Sequence, residues 1–181
     1  MYGLINMAIR QLVIDGHGAE GWQTVKNKAS LNEDNFELLT VYDDAITYKL
    51  VKSASEVTGK TADEILHLFG MYWVGYASKA GYEPLLKLFG PNFKECLANL
   101  NRMHEHMGAM MPGLIPPEFE ISKEVTDTEF EILYKSQRLG LSPMVSGLLE
   151  ALAQRYGISD IKIEKIQDLD EASCRFKVKW S

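Results

Sequence analysis

The chain has 181 residues, 46% hydrophobic and 24% charged, which allows one domain with a real core and is short for two. A net charge of −6 argues against a nucleic-acid partner, since such partners select a basic surface, and no apolar run is long enough to span a bilayer. Cys96 and Cys174 lie far apart with no CxxC pair, which excludes a zinc ribbon or a redox pair and suits a reducing compartment. The start Met1–Asn6 has neither a basic n-region nor a cleavage signal, so a cytoplasmic protein is expected.

Helical periodicity dominates the first two thirds. Residues 2–17 carry Leu4, Ile5, Ala8, Ile9, Leu12 and Val13 nearly all round and predict a well-buried helix ended by Gly16 and Gly18. A short helix over 19–28 follows, around Trp22 and Val25. Asp43 or Asp44 caps a helix running to Thr58, with Gly59 as its stop. Thr61 and Glu64 form a capping box for a helix reaching about Lys79, with Leu66, Phe69, Trp73 and Tyr76 as its apolar stripe. A short helix from Leu85 to Phe89 ends at Gly90. Pro91 then opens the longest candidate, 92–110, closed by Pro112-Gly113 and Pro116-Pro117.

From there the period becomes two. Strands are predicted over 118–124 and 128–137, joined by the polar turn around Asp127 and broken at Gly140. Ser142 followed by Pro143 reads as a cap and first turn for a helix over 143–156 that ends at Gly157. Two more strands, 159–166 and 173–180, flank the acidic turn Gln167–Glu171. Helices followed by an antiparallel sheet of four strands with one crossing helix make an α+β fold.

Two histidines on the 92–110 helix are separated by roughly 200° of rotation and cannot face the same partner. His104 falls within the stripe of Leu97, Leu100, Met107 and Met111; His106 falls on the side of Glu95, Asn99 and Arg102. An inward imidazole among Leu and Met suits iron in an apolar pocket. A core histidine satisfied by a backbone carbonyl is the commoner arrangement when the helix is considered alone. No HxxxH or HExxH spacing recruits a non-haem metal. His17 and His67 read as surface or cap residues.

On the strand at 130–138, Phe130, Ile132, Tyr134, Ser136 and Arg138 share one face, opposite the more polar Glu131, Leu133, Lys135 and Gln137. Same-face residues are about 7 Å apart, so a phenol, a hydroxyl and a guanidinium in line can grip carboxylates. A strand end running into solvent produces the same pattern.

Tyr134-Lys135-Ser136-Gln137-Arg138 resembles the Tyr-x-Ser-x-Arg signature of H-NOX domains, the haem nitric oxide/oxygen-binding family that includes the sensor domain of the soluble guanylate cyclase β subunit. Leu100–His106 resembles the family's segment bearing the proximal histidine, and Pro116-Pro117 its proline pair. Met1–Ile5, Phe69–Val74 and Leu141–Val145 also look like the family. The resemblance covers the whole chain.

It implies a single domain with a distal helical subdomain over about 1–60 and a proximal one over about 61–181, the haem lying between them. It implies haem b (protohaem IX) with Fe(II), His104 as axial ligand, and Tyr134, Ser136 and Arg138 on the propionates. Pro117 is expected to press on and distort the haem, and Ile5, Trp73, Met144 and Leu148 to line the pocket. Oxygen-binding members use a distal tyrosine where this chain has Met144, which cannot donate a hydrogen bond. NO and CO are therefore the expected ligands, without stable O2, although the Trp73 indole N–H is a donor. Release of His104 is the expected signal, passed to a separate partner such as a histidine kinase. An O2- or redox-sensing haem protein, a peroxidase-like haem enzyme and a haemless interaction module with a Met-rich groove over 103–111 are the alternatives.

Overall fold

The computed structural model describes residues 1–32, 35–88 and 90–181. Phe89, expected to end a short helix, lies outside the described residues. The chain divides into two compact units, Met1–Phe69 and Gly70–Ser181. Among the described residues no helix is long and apolar enough to cross a membrane.

In the first unit, helix α1 spans Gly3–Lys28 and is interrupted at Gly18, with φ 68° and ψ −178°. The two helices expected over 2–17 and 19–28 are thus consecutive stretches joined at that glycine, and Gly16 is helical. The start of the chain is clamped to the 37–42 segment by bonds from Gly3 N to Thr40 O (2.9 Å) and from Tyr42 N to Met1 O (2.8 Å). Helix α2, Asp44–Thr58, is capped by the Asp43 carboxylate, which accepts from Ala45 N, and is closed by Gly59. Leu4, Ala8, Ile9, Val25, Leu50 and Ala54 are buried. Between them Thr47 Oγ1 donates to Asn6 Oδ1 at 2.7 Å.

Helix α3, Ala62–Ala77, begins with the expected capping box: Glu64 accepts from Thr61 N, and Thr61 Oγ1 accepts from Glu64 N. Its buried positions are Ile65, Leu66, Phe69, Gly70, Val74 and Ala77. Trp73 is half-buried, so the apolar stripe turns away from the Trp73–Tyr76 line expected from the sequence. The helix runs into a π-turn, Ser78–Tyr82, with Gly81 at φ 102°, and then into α4, Glu83–Leu88. An L side chain rarely adopts that φ.

The single helix expected over 92–110 is two helices. These are α5, Phe93–Ala98, and α6, Leu100–Met110, with Asn99 between them at φ −97° and ψ 1°. The Asn99 side chain donates to Glu95 O at 2.9 Å, sharing that carbonyl with its own backbone N–H at 3.1 Å. The cap is Asn92, whose side chain accepts from Glu95 N, and Pro91 precedes it.

Strands β1 (Glu118–Thr126), β2 (Glu129–Lys135), β3 (Lys162–Asp168) and β4 (Ser173–Lys179) form one antiparallel sheet in the order β1-β2-β4-β3. β2 is shorter than expected, and β3 starts and ends later than expected. Helix α7 spans Ser142–Arg155. Its cap is Leu141 and makes no side-chain bond, so Ser142 is the first helical residue and does not cap.

Phe119, Phe130, Ile132, Tyr134, Cys174, Phe176 and Val178 from the sheet join Phe93, Cys96 and Leu97 of α5 and Val145, Leu149 and Leu152 of α7 in one buried cluster. The alternating burial of β2 and β4 explains the pattern. The opposite face carries ion pairs such as Glu129 with Lys177 (2.8 Å) and Lys179 (3.0 Å). Exposed pairs of this kind add little stability.

Helices α3 and α7 cross at Gly70. A Cβ there would lie 2.1 Å from Met144 O and 2.7 Å from Leu148 N, both backbone atoms. At Gly75, on the same helix, a Cβ would meet nothing within 4 Å. Gly70→Ala is therefore expected to destabilise by about 1–3 kcal/mol through overpacking. Gly75→Ala is expected to be neutral or stabilising by under about 1 kcal/mol. Urea denaturation of the two variants checks the contrast.

Candidate functional site

Helix α6 places His104 half-buried and His106 exposed, as the rotation between them requires. His104 Nδ1 lies 3.1 Å from Pro117 O. A carbonyl can only accept, so Nδ1 carries the proton and the neutral ring keeps its lone pair on Nε2. Burial pushes the imidazole below its ordinary pKa, and the Pro117 carbonyl pulls it part of the way back. The carbonyl partner of an ordinary core histidine is thus present, but it engages one nitrogen only. His106 Nδ1 instead bonds Arg102 O within its own helix at 2.7 Å.

The position of His104 against Pro117 is set by a residue that sequence reasoning passed over. Asn101 Nδ2 donates to Phe119 O (2.9 Å), and Asn101 Oδ1 accepts from Phe119 N (2.8 Å). This two-way clasp locks α6 to the start of β1, two residues past Pro117. Asn101 is one turn before His104 on the same helix face. An asparagine inside a short helix is a poor helix former and was the available signal.

The Phe119 ring stands between His104 (6.2 Å) and Tyr134 (5.4 Å). Tyr134 is 3% exposed and pairs across β2 with Phe119 and Cys174. Ser136 and Arg138, expected to continue the same strand face, lie beyond the end of β2. Ser136 Oγ accepts from Arg138 N at 3.0 Å, which turns the chain and ends the ladder. Arg138 Nη1 reaches Ile115 O at 2.8 Å. His104 and Arg138 therefore both engage the 115–117 segment, through Pro117 O and Ile115 O, and Pro117 is half-buried there.

Trp73 is half-buried on α3, with Tyr76 stacked at 6.3 Å. Met144 and Leu148 are half-buried on α7, beside the Gly70 crossing. Ile5 is half-buried on the first turn of α1, within the first unit. His17 is exposed and His67 half-buried. Among the described residues, no group of three His, Cys, Asp or Glu side chains gathers to hold a metal ion.

A profile described as Haem-NO-binding matches residues 2–165. The chain belongs to the haem-NO-binding family. Its relatives include the Caenorhabditis elegans soluble guanylate cyclases gcy-31, 27% identical over 91% of this chain and 23% of that protein, and gcy-32, 30% identical over 90% and 24%. This H-NOX domain thus spans about a quarter of the length of these curated relatives. Solved structures with the same fold include an H-NOX protein from S. oneidensis in the Fe(II)NO ligation state. The TM-score is 0.86 at 14% identity, covering 100% of this chain and 99% of that one. An oxygen-binding H-NOX domain related to soluble guanylate cyclases, solved as the oxygen complex, gives 0.78 at 22% identity over 99% and 95%.

The donor set of this chain fits a haem. A neutral imidazole with Nδ1 engaged is the usual state of a metal-binding histidine, oriented by its second nitrogen. A guanidinium, a hydroxyl and a phenol are the donors that propionates call for.

If the Asn101 clasp orients α6, Asn101→Ala should cost about 1–3 kcal/mol, because it leaves a buried amide and carbonyl short of partners. The Phe119 amide should lose protection in hydrogen exchange, while the amides of β4 keep theirs.

Proposed function

We propose that this gas-sensor domain binds haem b through Nε2 of His104, responds to NO and CO without forming a stable O2 complex, and passes its signal to a separate protein. The observation that carries the reading is the bond between His104 Nδ1 and Pro117 O, which leaves Nε2 as the ring's coordinating atom. When bound, the haem supplies a ferrous iron with an open position for a diatomic gas. Tyr134, Ser136 and Arg138 are the residues that would hold the propionates, and Pro117 the one that would press on the ring.

Selectivity rests on what the pocket can donate. Trp73, Met144 and Leu148 are assigned to its wall. Met144 has a thioether and no hydrogen-bond donor. Dioxygen depends on such a donor, whereas NO and CO depend on it far less. The Trp73 indole N–H is the one donor in this set, and its stacking on Tyr76 supports a packing role.

The signal is assigned to His104. It rides on α6, an eleven-residue helix, and its release would leave that helix held to β1 by Asn101 and freed from the pocket. Ligand binding can drive such a change only by differing in affinity between the two arrangements. The partner is assigned to the histidine kinase class by analogy with other members of the family.

Absorption spectra of the ferrous protein alone, and then with O2, CO and NO, test the reading. Shifted spectra with CO and NO and none with O2 are expected. A colourless protein that takes up no haemin, or a stable oxy spectrum, would overturn it. His104→Gly should lose the haem or hold it only with added imidazole. Met144→Tyr should gain an oxy spectrum, and Trp73→Phe should leave all spectra unchanged. An oxy spectrum in the parent that disappears in Trp73→Phe would move the selectivity to the indole.

A further inference from the structure

From Pro112 to Glu118 no side chain is buried, although Met111 and Phe119 on either side are. Pro116 and Pro117 bring no N–H group. Side-chain donors take hold of this segment through its carbonyls, at every second residue. Ile115 O accepts from Arg138 Nη1 at 2.8 Å, Pro117 O from His104 Nδ1 at 3.1 Å and Phe119 O from Asn101 Nδ2 at 2.9 Å. The segment leads into β1, an edge strand of the sheet, where backbone groups need cover. Asn101 and His104 supply it from α6, and Arg138 supplies it from the turn after β2.

The stretch between the Arg138 and His104 bonds is stiff. Proline fixes φ at about −65°, here at Pro116 and again at Pro117. A residue that precedes proline is confined to extended backbone, which restricts Ile115 and Pro116. A displacement at Ile115 O is thus passed on to Pro117 O instead of being absorbed between them.

We propose that Arg138 is a positioning residue for His104, acting through the Ile115–Pro117 rod. Its bond to Ile115 O keeps the Pro117 carbonyl seated on Nδ1 of the imidazole. Pro116 then matters for His104 without bonding to it. A guanidinium carries five N–H donors, so the group that serves Ile115 O can serve a carboxylate as well. On the haem reading above, on which this last step rests, the grip on a propionate and the orientation of the axial imidazole are mechanically linked.

Ring tautomers of the full chain without haem, read by long-range proton–nitrogen NMR, test the positioning itself. His104 of the parent should be in the Nδ1–H form. Arg138→Gln and Pro116→Gly should each shift its ratio of Nδ1–H to Nε2–H by about fivefold, the worth of one ordinary hydrogen bond. The double variant should shift it no further, and Arg138→Lys, which can still donate, should recover most of the parent ratio. His106, bonded within its own helix, should stay unchanged throughout. In the haem-loaded protein, the iron–histidine stretching band should fall to lower frequency in both single variants, because donation from Nδ1 raises the basicity of the ligating nitrogen. This arm keeps the comparison open if a variant folds only with haem. Loaded protein with no iron–histidine band would remove the axial role of His104 and leave the tautomer result standing. A parent ring in the Nε2–H form, or a ratio and a band that do not move in Pro116→Gly, would overturn the proposal.

Discussion

An imidazole can present only one nitrogen to a metal, and the rest of its surroundings must decide which. Here the Pro117 carbonyl takes Nδ1, so Nε2 is left and the ring plane is set. That carbonyl could not sit in place unless α6 and the start of β1 kept a fixed relation. The Asn101 side chain provides this by satisfying both backbone groups of Phe119. Helix, proline segment and strand are thus joined by three hydrogen bonds around one ring, and the Phe119 side chain continues the contact to Tyr134.

Helix α7 organises the second unit from its centre outward. Leu149 and Leu152 fill the space above β2 and β4. Towards its N-terminus, Met144 and Leu148 present backbone to Gly70, which admits α3 because it lacks a Cβ. At its C-terminus, Arg155 and Tyr156 reach Glu83 and Gly90. One rigid helix therefore touches the segment assigned to the gas pocket and the connection that leads to His104. The contacts at its two ends differ in kind: backbone packing at one, polar side chains at the other.

Much of the local structure could be read directly. The Thr61–Glu64 box, the Asp43 cap and the alternation along β2 and β4 are set by neighbours within a few residues, and they appear in place. The inward face of His104 and the outward face of His106 were legible because a two-residue step on any helix separates them. The break at Asn99 was not, since the apolar spacing runs on through it. Ser136 and Arg138 kept the strand period in sequence but left the strand in space, because the Ser136 hydroxyl took the Arg138 amide.

By itself, then, the sequence determined the element types, the fold class, the family resemblance and the candidates His104, Tyr134, Ser136 and Arg138. These depend on periodicity, caps and motif spacing, which are properties of short stretches. Tertiary structure alone decided which His104 nitrogen is engaged, that Arg138 turns to Ile115, and that Asn101 and Arg155 act as clasps. Each of those outcomes requires a backbone carbonyl, a backbone amide or a carboxylate brought close from a separate part of the chain, and no local pattern records where such a group will arrive.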